Sequence, residues 1–194
     1  MTETTRAIIL AAGASTRMGR PKALLRVDGQ TLLERAVEQA RKAGAEPLVV
    51  LGADAERIRP HVGDIQVLVN PNWQSGMGTS IAWGISALSG QTERALIVAV
   101  DQPNVDAELL AELVDACDDT VDAAATRYAN GVVGVPACFG RACFEALRAL
   151  DADRGARDLL RSDEFEVAEV PTADAGVDVD TPEQWRAFQE SQEA

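Results

Sequence analysis

Short, almost continuously apolar runs alternate along this chain with longer stretches in which apolar residues recur every three or four positions. The runs are Ala7–Leu10, Pro47–Leu51, Gln66–Val69, Ala95–Val100 and Ala123–Thr126. Runs this short, with little polar alternation, are expected of strands covered on both faces. Between them Leu32, Leu33, Ala36, Val37 and Ala40 keep helical spacing, with Thr31 placed as an N-cap and Gly44 as a stop. Ile81, Ile85 and Leu88 do the same after Thr79 or Ser80 as a cap. Leu109, Leu110, Leu113 and Val114 follow Asp106, and Phe144, Leu147 and Leu150 mark a fourth helix. Thr181 and Pro182 read as the cap and first residue of a last helix, with 190–194 as a frayed tail. Strand–helix alternation predicts an α/β fold of three layers, Rossmann-like, with a mainly parallel central sheet and helices on both faces.

From Tyr128 onward the pattern loosens. Gly131, Gly134 and Pro136 imply a turn and irregular pairing, read as a hairpin over the site, and Asp151 to Arg157 reads as a charged loop. A short apolar stretch precedes Asp178 and Asp180. In open parallel sheets ligands bind outside the carboxyl ends of the strands. Gly13 follows the first run, Asn70 the third and Asp101 the fourth, so three polar blocks converge on one edge.

The block after the first run carries the chemistry. Leu10-Ala11-Ala12-Gly13-Ala14-Ser15-Thr16-Arg17-Met18-Gly19-Arg20-Pro21-Lys22 is a strand end opening into a small-residue loop with cations. Gly13 and Gly19 permit close approach of the backbone and dihedrals closed to other residues. Successive N–H groups in such a loop form an anion-binding concavity. Arg17 can grip phosphate oxygens with two donors, and Lys22 adds a movable point charge. The stretch is neither a Walker loop nor a dinucleotide turn. The Leu10–Gly13 backbone is placed to meet a nucleoside at the sheet edge.

Charge sharpens this. The net charge is −13, which disfavours nucleic acid and anionic membranes as partners. Arg17, Arg20, Lys22 and Arg26 concentrate positive charge against that sign, as a polyanionic small substrate requires. Asp101, at the end of the fourth run, reads either as a turn aspartate or as a ligand for Mg²⁺, which takes one or two carboxylates plus phosphate oxygens. Beside a phosphate loop, the metal role is preferred. Aromatics are only 4% of the 194 residues, so the core is built from Ala, Val, Leu and Ile, and residues 1–194 are expected to form a single domain. Cys117, Cys138 and Cys143 lack metal-ligand spacing and read as small core residues. His61, the only histidine, reads as a surface residue. With no leader pattern and no run of about 20 apolar residues, a cytoplasmic setting is expected.

These stretches resemble the MobA-like nucleotidyltransferases, and most closely their molybdenum cofactor cytidylyltransferase branch. The first loop is similar to the family's L-A-A-G-x-S-x-R-M-G-x-P-K. Asn70 to Ile81 is similar to its second block, and Val100-Asp101-Gln102-Pro103 to its metal-binding turn. Gly134-Val135-Pro136 with Phe139 resembles its G-x-P-x-x-F segment. Asp153 to Arg157 resembles G-D-x-G-A-R with Ala152 in place of the first glycine. Asp178-Val179-Asp180-Thr181-Pro182-Glu183 resembles the closing D-x-D-T-P-E.

The resemblance implies transfer of CMP from CTP to a molybdopterin phosphate, with pyrophosphate as leaving group and Mg²⁺ as cofactor. It implies catalytic roles for Lys22, Arg17 and Asp101, and metal ligation by Asp101 and Asp180. Asp178 is a weaker ligand candidate, or else orients its neighbours. Nucleotide contacts are implied for Leu10, Ala11, Ala12, Gly13, Ser15, Arg17, Lys22, Gly76, Gly78 and Ser80. Ala12, where guanylyl-transferring relatives usually carry glycine, favours CTP over GTP. Residues 128–180 take the acceptor side. There Trp73 either flanks a flat pterin or plugs the sheet edge, and Arg154 and Arg157 either reach the acceptor phosphate or form surface ion pairs. Val135 stands where the cofactor cytidylyltransferases often have histidine, so the acceptor remains open between molybdopterin and a sugar or alcohol phosphate. A chaperone handing molybdopterin to a partner is the non-catalytic alternative, and transient contact with a molybdoenzyme fits either.

Overall fold

The computed structural model describes residues 4–151, 154–172 and 178–192. In chain order the strands are β1 (Thr4–Ala11), β2 (Arg26–Val27), β3 (Gln30–Thr31), β4 (Glu46–Leu51), β5 (Gln66–Val69), β6 (Thr92–Ala99), β7 (Ala123–Tyr128), β8 (Val133–Gly140) and β9 (Val167–Thr172). The α-helices are α1 (Leu32–Lys42), α2 (Ala55–Ile58), α3 (Met77–Ser86), α4 (Ala107–Ala116), α5 (Phe144–Arg148), α6 (Ala156–Leu160) and α7 (Pro182–Gln192). Seven strands form one sheet in the order β5-β4-β1-β6-β8-β7-β9, and β2 and β3 pair as a separate small hairpin. The α/β layering with a mostly parallel sheet is therefore as expected from the chain's patterning.

β1 lies inside the sheet, parallel to β4 and β6, and its Ala7, Ile8 and Ile9 are completely buried. Successive side chains point to opposite faces. Ala7, Ile9 and Ala11 accordingly pack with Leu33, Val37 and Leu110 from α1 and α4, while Ile8 and Leu10 pack with Ile81 and Ile85 from α3. Thr31 caps α1 through a reciprocal pair of bonds with Glu34, and Asp106 caps α4 by accepting from the Leu109 N–H at 3.0 Å.

The structure departs from the sequence expectations in several places. The segment after Tyr128 is not a hairpin over the site: β8 inserts between β6 and β7, antiparallel to both. Its irregularity survives as a register shift opposite Ala125/Thr126, where Val135 and Pro136 are extra. α3 begins at Met77, so Thr79 and Ser80 are not caps, and Thr79 Oγ1 instead donates to the Gly76 and Asn72 carbonyls. The charged stretch ending at Arg157 enters α6, while its Ala152 and Asp153 lie outside the described residues. Helix α7 continues through Glu190 to Gln192, where a tail was expected, and the apolar stretch at 173–177 lies outside the described residues.

A third apolar cluster sits apart from the two faces of the sheet. Trp185 and Phe188 of α7 stack at 5.6 Å and pack with Met18, Leu25, Val27, Leu32 and Val179. α7 thereby pins the loop after β1 to the segment containing Asp178 and Asp180. Trp185→Ala is expected to cost about 3–5 kcal/mol, the usual range for removing a buried large aromatic side chain, read as a lowered midpoint in urea unfolding. An unchanged midpoint would show that α7 adds nothing to the frame.

Candidate active site

The loop leaving β1 turns back on itself through Ser15. The Ser15 carbonyl accepts from the Gly19 N–H at 3.0 Å, and Ser15 Oγ accepts from the Lys22 N–H at 3.1 Å. The positive φ expected of Gly13 falls instead on Ser15 (51°), with Gly19 also positive (73°). Gly13 faces open space: a Cβ there would meet nothing within 4 Å. The loop arches over a cleft of about 330 Å³ lined by Leu10 to Arg17, Lys22, Trp73, Gly76, Met77, Ser80, Asp101 and Asp180, among others.

Lys22 stands at the meeting point of three remote segments. Its Nζ donates to Asp101 Oδ2 at 2.9 Å and also to Asp180 Oδ1. Arg17 Nη2 donates to the other oxygen of Asp180, at 2.7 Å. The Asp180 stretch is held in place by the Val179 N–H, which donates to the Asp101 carbonyl at 2.9 Å. Partial burial pulls the Lys22 ammonium down. The Asp101 charge and the bonds to both carboxylates outweigh this, so the net shift is upward. Asp180 is held below the usual aspartate range, chiefly by the hydrogen bond from Lys22, with Arg17 adding to it.

Behind this cluster a second network was not legible. Gln102 Nε2 lies 2.8 Å from Tyr128 Oη, 3.1 Å from the Val135 carbonyl and 3.1 Å from Asp178 Oδ1. Tyr128 Oη also donates to the Val135 carbonyl. Desolvation, and then the Asp101 charge, raise Asp178. Desolvation pushes Tyr128 up to about 12. On the other rim, buried Asn70 donates from Nδ2 to Thr79 Oγ1 and Ser80 Oγ, both at 3.0 Å, while its Oδ1 accepts from the Asn72 N–H at 2.8 Å. Both polar residues sat in blocks singled out in the sequence. Their burial, the signal that marks them as organisers, needed coordinates.

The remaining sequence candidates are distributed as follows. Trp73 lies in the cleft wall against Gly52, where a Cβ would stand 2.5 Å from both Trp73 Cβ and the Ala12 carbonyl. Gly78 is buried outside that wall. A Cβ there would come within 2.1 Å of the Arg154 carbonyl and 2.2 Å of the Asp151 carbonyl, so it admits a neighbouring loop onto α3. Arg154 and Arg157 are outside the cleft wall too, with the Arg157 guanidinium beside Gly134 and the Tyr128 ring. Of the four concentrated cations, Arg17 and Lys22 reach the carboxylates, whereas Arg26 bonds the Gly29 carbonyl within its own hairpin. His61 is exposed and Cys117, Cys138 and Cys143 are buried, as expected. No described helix is long and apolar enough to cross a membrane.

A phosphate-type loop and a pair of carboxylates at the carboxyl edge of a mainly parallel sheet define a nucleotide-handling α/β protein. Residues 7–169 match the MobA-like NTP transferase domain, and the chain belongs to that family of nucleotidyltransferases. It is 35% identical to nicotine blue oxidoreductase of Paenarthrobacter nicotinovorans, covering 91% of this chain and 92% of that one. It is 26% identical to the molybdenum cofactor cytidylyltransferase of Escherichia coli (strain K12), covering 91% of each. Among solved structures it is similar to Rv0371c of Mycobacterium tuberculosis H37Rv, with a TM-score of 0.86, 28% identity and coverage of 98% and 100%. A manganese complex of that protein matches with a TM-score of 0.82 and 28% identity, over 97% and 99%.

The carboxylate shifts carry a pH signature. Because the folded Asp180 titrates below its unfolded value, its contribution to stability is present above the usual aspartate range and lost as pH falls through the lowered value. Asp180→Asn is expected to be less stable than the parent near neutrality and to show a flatter stability curve below about pH 4, the ordinary aspartate range. Thermal melts across pH check this, and parallel curves for the two proteins would refute it.

Proposed function

We propose that this protein is a cytidylyltransferase that moves CMP from CTP to the phosphate of a molybdopterin and releases pyrophosphate, with Mg²⁺ as the working ion and the cytoplasm as its setting. The observation that carries this reading is the Lys22 ammonium seated between Asp101 and Asp180 beneath the loop after β1. That ammonium is a stand-in cation. It marks a place where two hard carboxylate donors from remote segments already converge on positive charge. Mg²⁺ suits such a pair, since it takes one or two carboxylates and completes its shell with phosphate oxygens and water. Asp101 and Asp180 would hold the ion, which neutralises phosphate charge when bound.

The chain's own residues do the rest. Amides of the Gly13–Gly19 loop and the Arg17 guanidinium bind the phosphates, and Ser15 keeps that loop closed. Lys22 brings a cation to the charge that develops at the α-phosphorus. Leu10, Ala11, Ala12, Gly76 and Ser80 bound the nucleoside, with Trp73 against Gly52. Gly78 acts one step back, by letting the Asp151 and Arg154 carbonyls approach α3 closely. The attacking phosphate is already anionic at neutral pH, so positioning and electrostatic neutralisation supply the catalysis without a strong base. The acceptor is held on the side of Arg154, Arg157 and the β7–β8 turn. Support for molybdopterin and for CTP comes from the Escherichia coli relative and from Ala12.

The 35% identity to nicotine blue oxidoreductase over nearly the whole chain favours a second reading, a reductase with a dinucleotide carrier in the same cleft. The paired carboxylates weigh against it, because hydride transfer has no need of a cation seat. The test is pyrophosphate release with CTP or GTP, Mg²⁺ and molybdopterin or simpler phosphorylated acceptors. Turnover is expected with CTP above GTP, abolished in Asp101→Ala, and slowed on the order of 10²–10³-fold in Lys22→Ala, comparable to losing one preorganised donor. Oxidation of reduced nicotinamide dinucleotide without pyrophosphate release would replace this reading with the second one. Molybdopterin binding without any turnover would make the protein a carrier.

A further inference from the structure

Lys22 and a divalent ion are drawn to the same place. The ammonium uses Asp101 Oδ2 and Asp180 Oδ1, and Arg17 uses Asp180 Oδ2. Three of the four carboxylate oxygens that face the cleft from these residues are thus engaged by the protein's own cations. The Lys22 side chain is only 13% exposed, so this is a seated charge and not a passing surface contact. An ammonium and a divalent cation cannot share the space between two carboxylates, because like charges at that separation repel strongly in a site poor in water.

We propose that Lys22 is a tethered competitor of the divalent ion: in the nucleotide-free protein it occupies the Asp101–Asp180 seat, and a triphosphate releases the seat by drawing the ammonium into the cleft. The anchoring of Lys22 suits this exchange. Its backbone is fixed, with its N–H on Ser15 Oγ, its carbonyl accepting from the Leu25 N–H at 2.9 Å and its neighbour Ala23 buried. Its four-carbon stem is the mobile part, and lysine delivers a compact charge that can be redirected. Lys22 already lines the cleft as well as bonding the carboxylates, so the swing is a rotation about side-chain bonds and moves no element of the fold. A triphosphate offers the ammonium more negative charge than two carboxylates do, and brings the oxygens that complete the ion's shell. Ion and nucleotide therefore enter as coupled partners, and neither carboxylate is left unpaired at any stage.

The proposal rests on the reading of Asp101 and Asp180 as metal ligands, and its test separates the two. Mn²⁺ binding to the nucleotide-free protein is followed by electron paramagnetic resonance and by the rise in melting temperature with millimolar Mn²⁺, with no turnover involved. Lys22→Met is expected to bind Mn²⁺ about tenfold or more tightly than the parent, within the range usual for coupling between sites. Its melting temperature should accordingly respond to Mn²⁺ where the parent's does not. Lys22→Gln, neutral but polar, should behave the same way and serves if the Met variant does not fold. Equal or weaker Mn²⁺ binding by the Lys22 variants overturns the competition. Adding Asp101→Asn to either variant tells which idea has failed. If the double variant loses the Mn²⁺ but the single variant bound no tighter than the parent, the competition is wrong and the metal seat stands. If Mn²⁺ binding survives Asp101→Asn, the ion sits elsewhere and the metal assignment itself is wrong.

Discussion

The structure turns on one ammonium group shared by two aspartates from distant parts of the chain. Lys22 follows β1, Asp101 follows β6 and Asp180 precedes α7, so a single Nζ ties three segments together. In a chain of net charge −13 this is a constraint as much as a contact. Asp101, Asp178 and Asp180 are drawn close by the Val179–Asp101 backbone bond, and their mutual repulsion must be offset locally. Lys22 and Arg17 offset it for Asp180, and Gln102 supplies a donor to Asp178. The bridge does not act alone. Partly exposed ion pairs are worth little by themselves, and the packing of Trp185, Phe188, Met18 and Val179 fixes the segments the bridge connects.

Topology explains why these segments meet. From β1 the chain goes to β4 on one side, while β6 lies on the other, so the strand order reverses beside β1. At such a reversal the loops above neighbouring strands splay apart and leave a crevice. The Ala12–Pro21 loop overhangs it, Asp101 stands on its far wall, and the turn through Asn70 closes the side toward α3. Asn70 makes that turn rigid by bonding α3 and its own loop at once. The cleft is therefore built from strand ends whose spacing the buried sheet already fixes.

Most of the sheet was legible from the chain because its inner strands are largely buried and read as apolar runs. The partly buried edge strand Gln66–Val69 was found to the residue, and Ala7–Leu10 was found short of both ends of β1. β8 escaped because Gly134 and Pro136 are turn residues by composition. The register shift places Val135 and Pro136 as extra residues on β8, which lets a proline occupy an inner strand. β9 escaped because its Val-Ala-Glu-Val-Pro-Thr alternates weakly at the sheet edge. Within the site, the carboxylates and cations were legible because charge at a strand end is conspicuous. Gln102 and Tyr128 were not, because their importance lies in being buried together and no short-range pattern reports that.

The Gln102–Tyr128 network is held together differently from the Lys22 cluster. Both groups bond the carbonyl of Val135. What they recognise at that position is the main chain, so the side chain there is left open to change. The Val135 side chain takes no part in the bonds that tie Gln102, Tyr128 and Asp178 to β8. Lys22, Asp101 and Asp180 act through their side-chain charges, and replacing Lys22 removes the cation that the two carboxylates share. Proteins named as a cytidylyltransferase and as an oxidoreductase both align with nearly the full length of this chain.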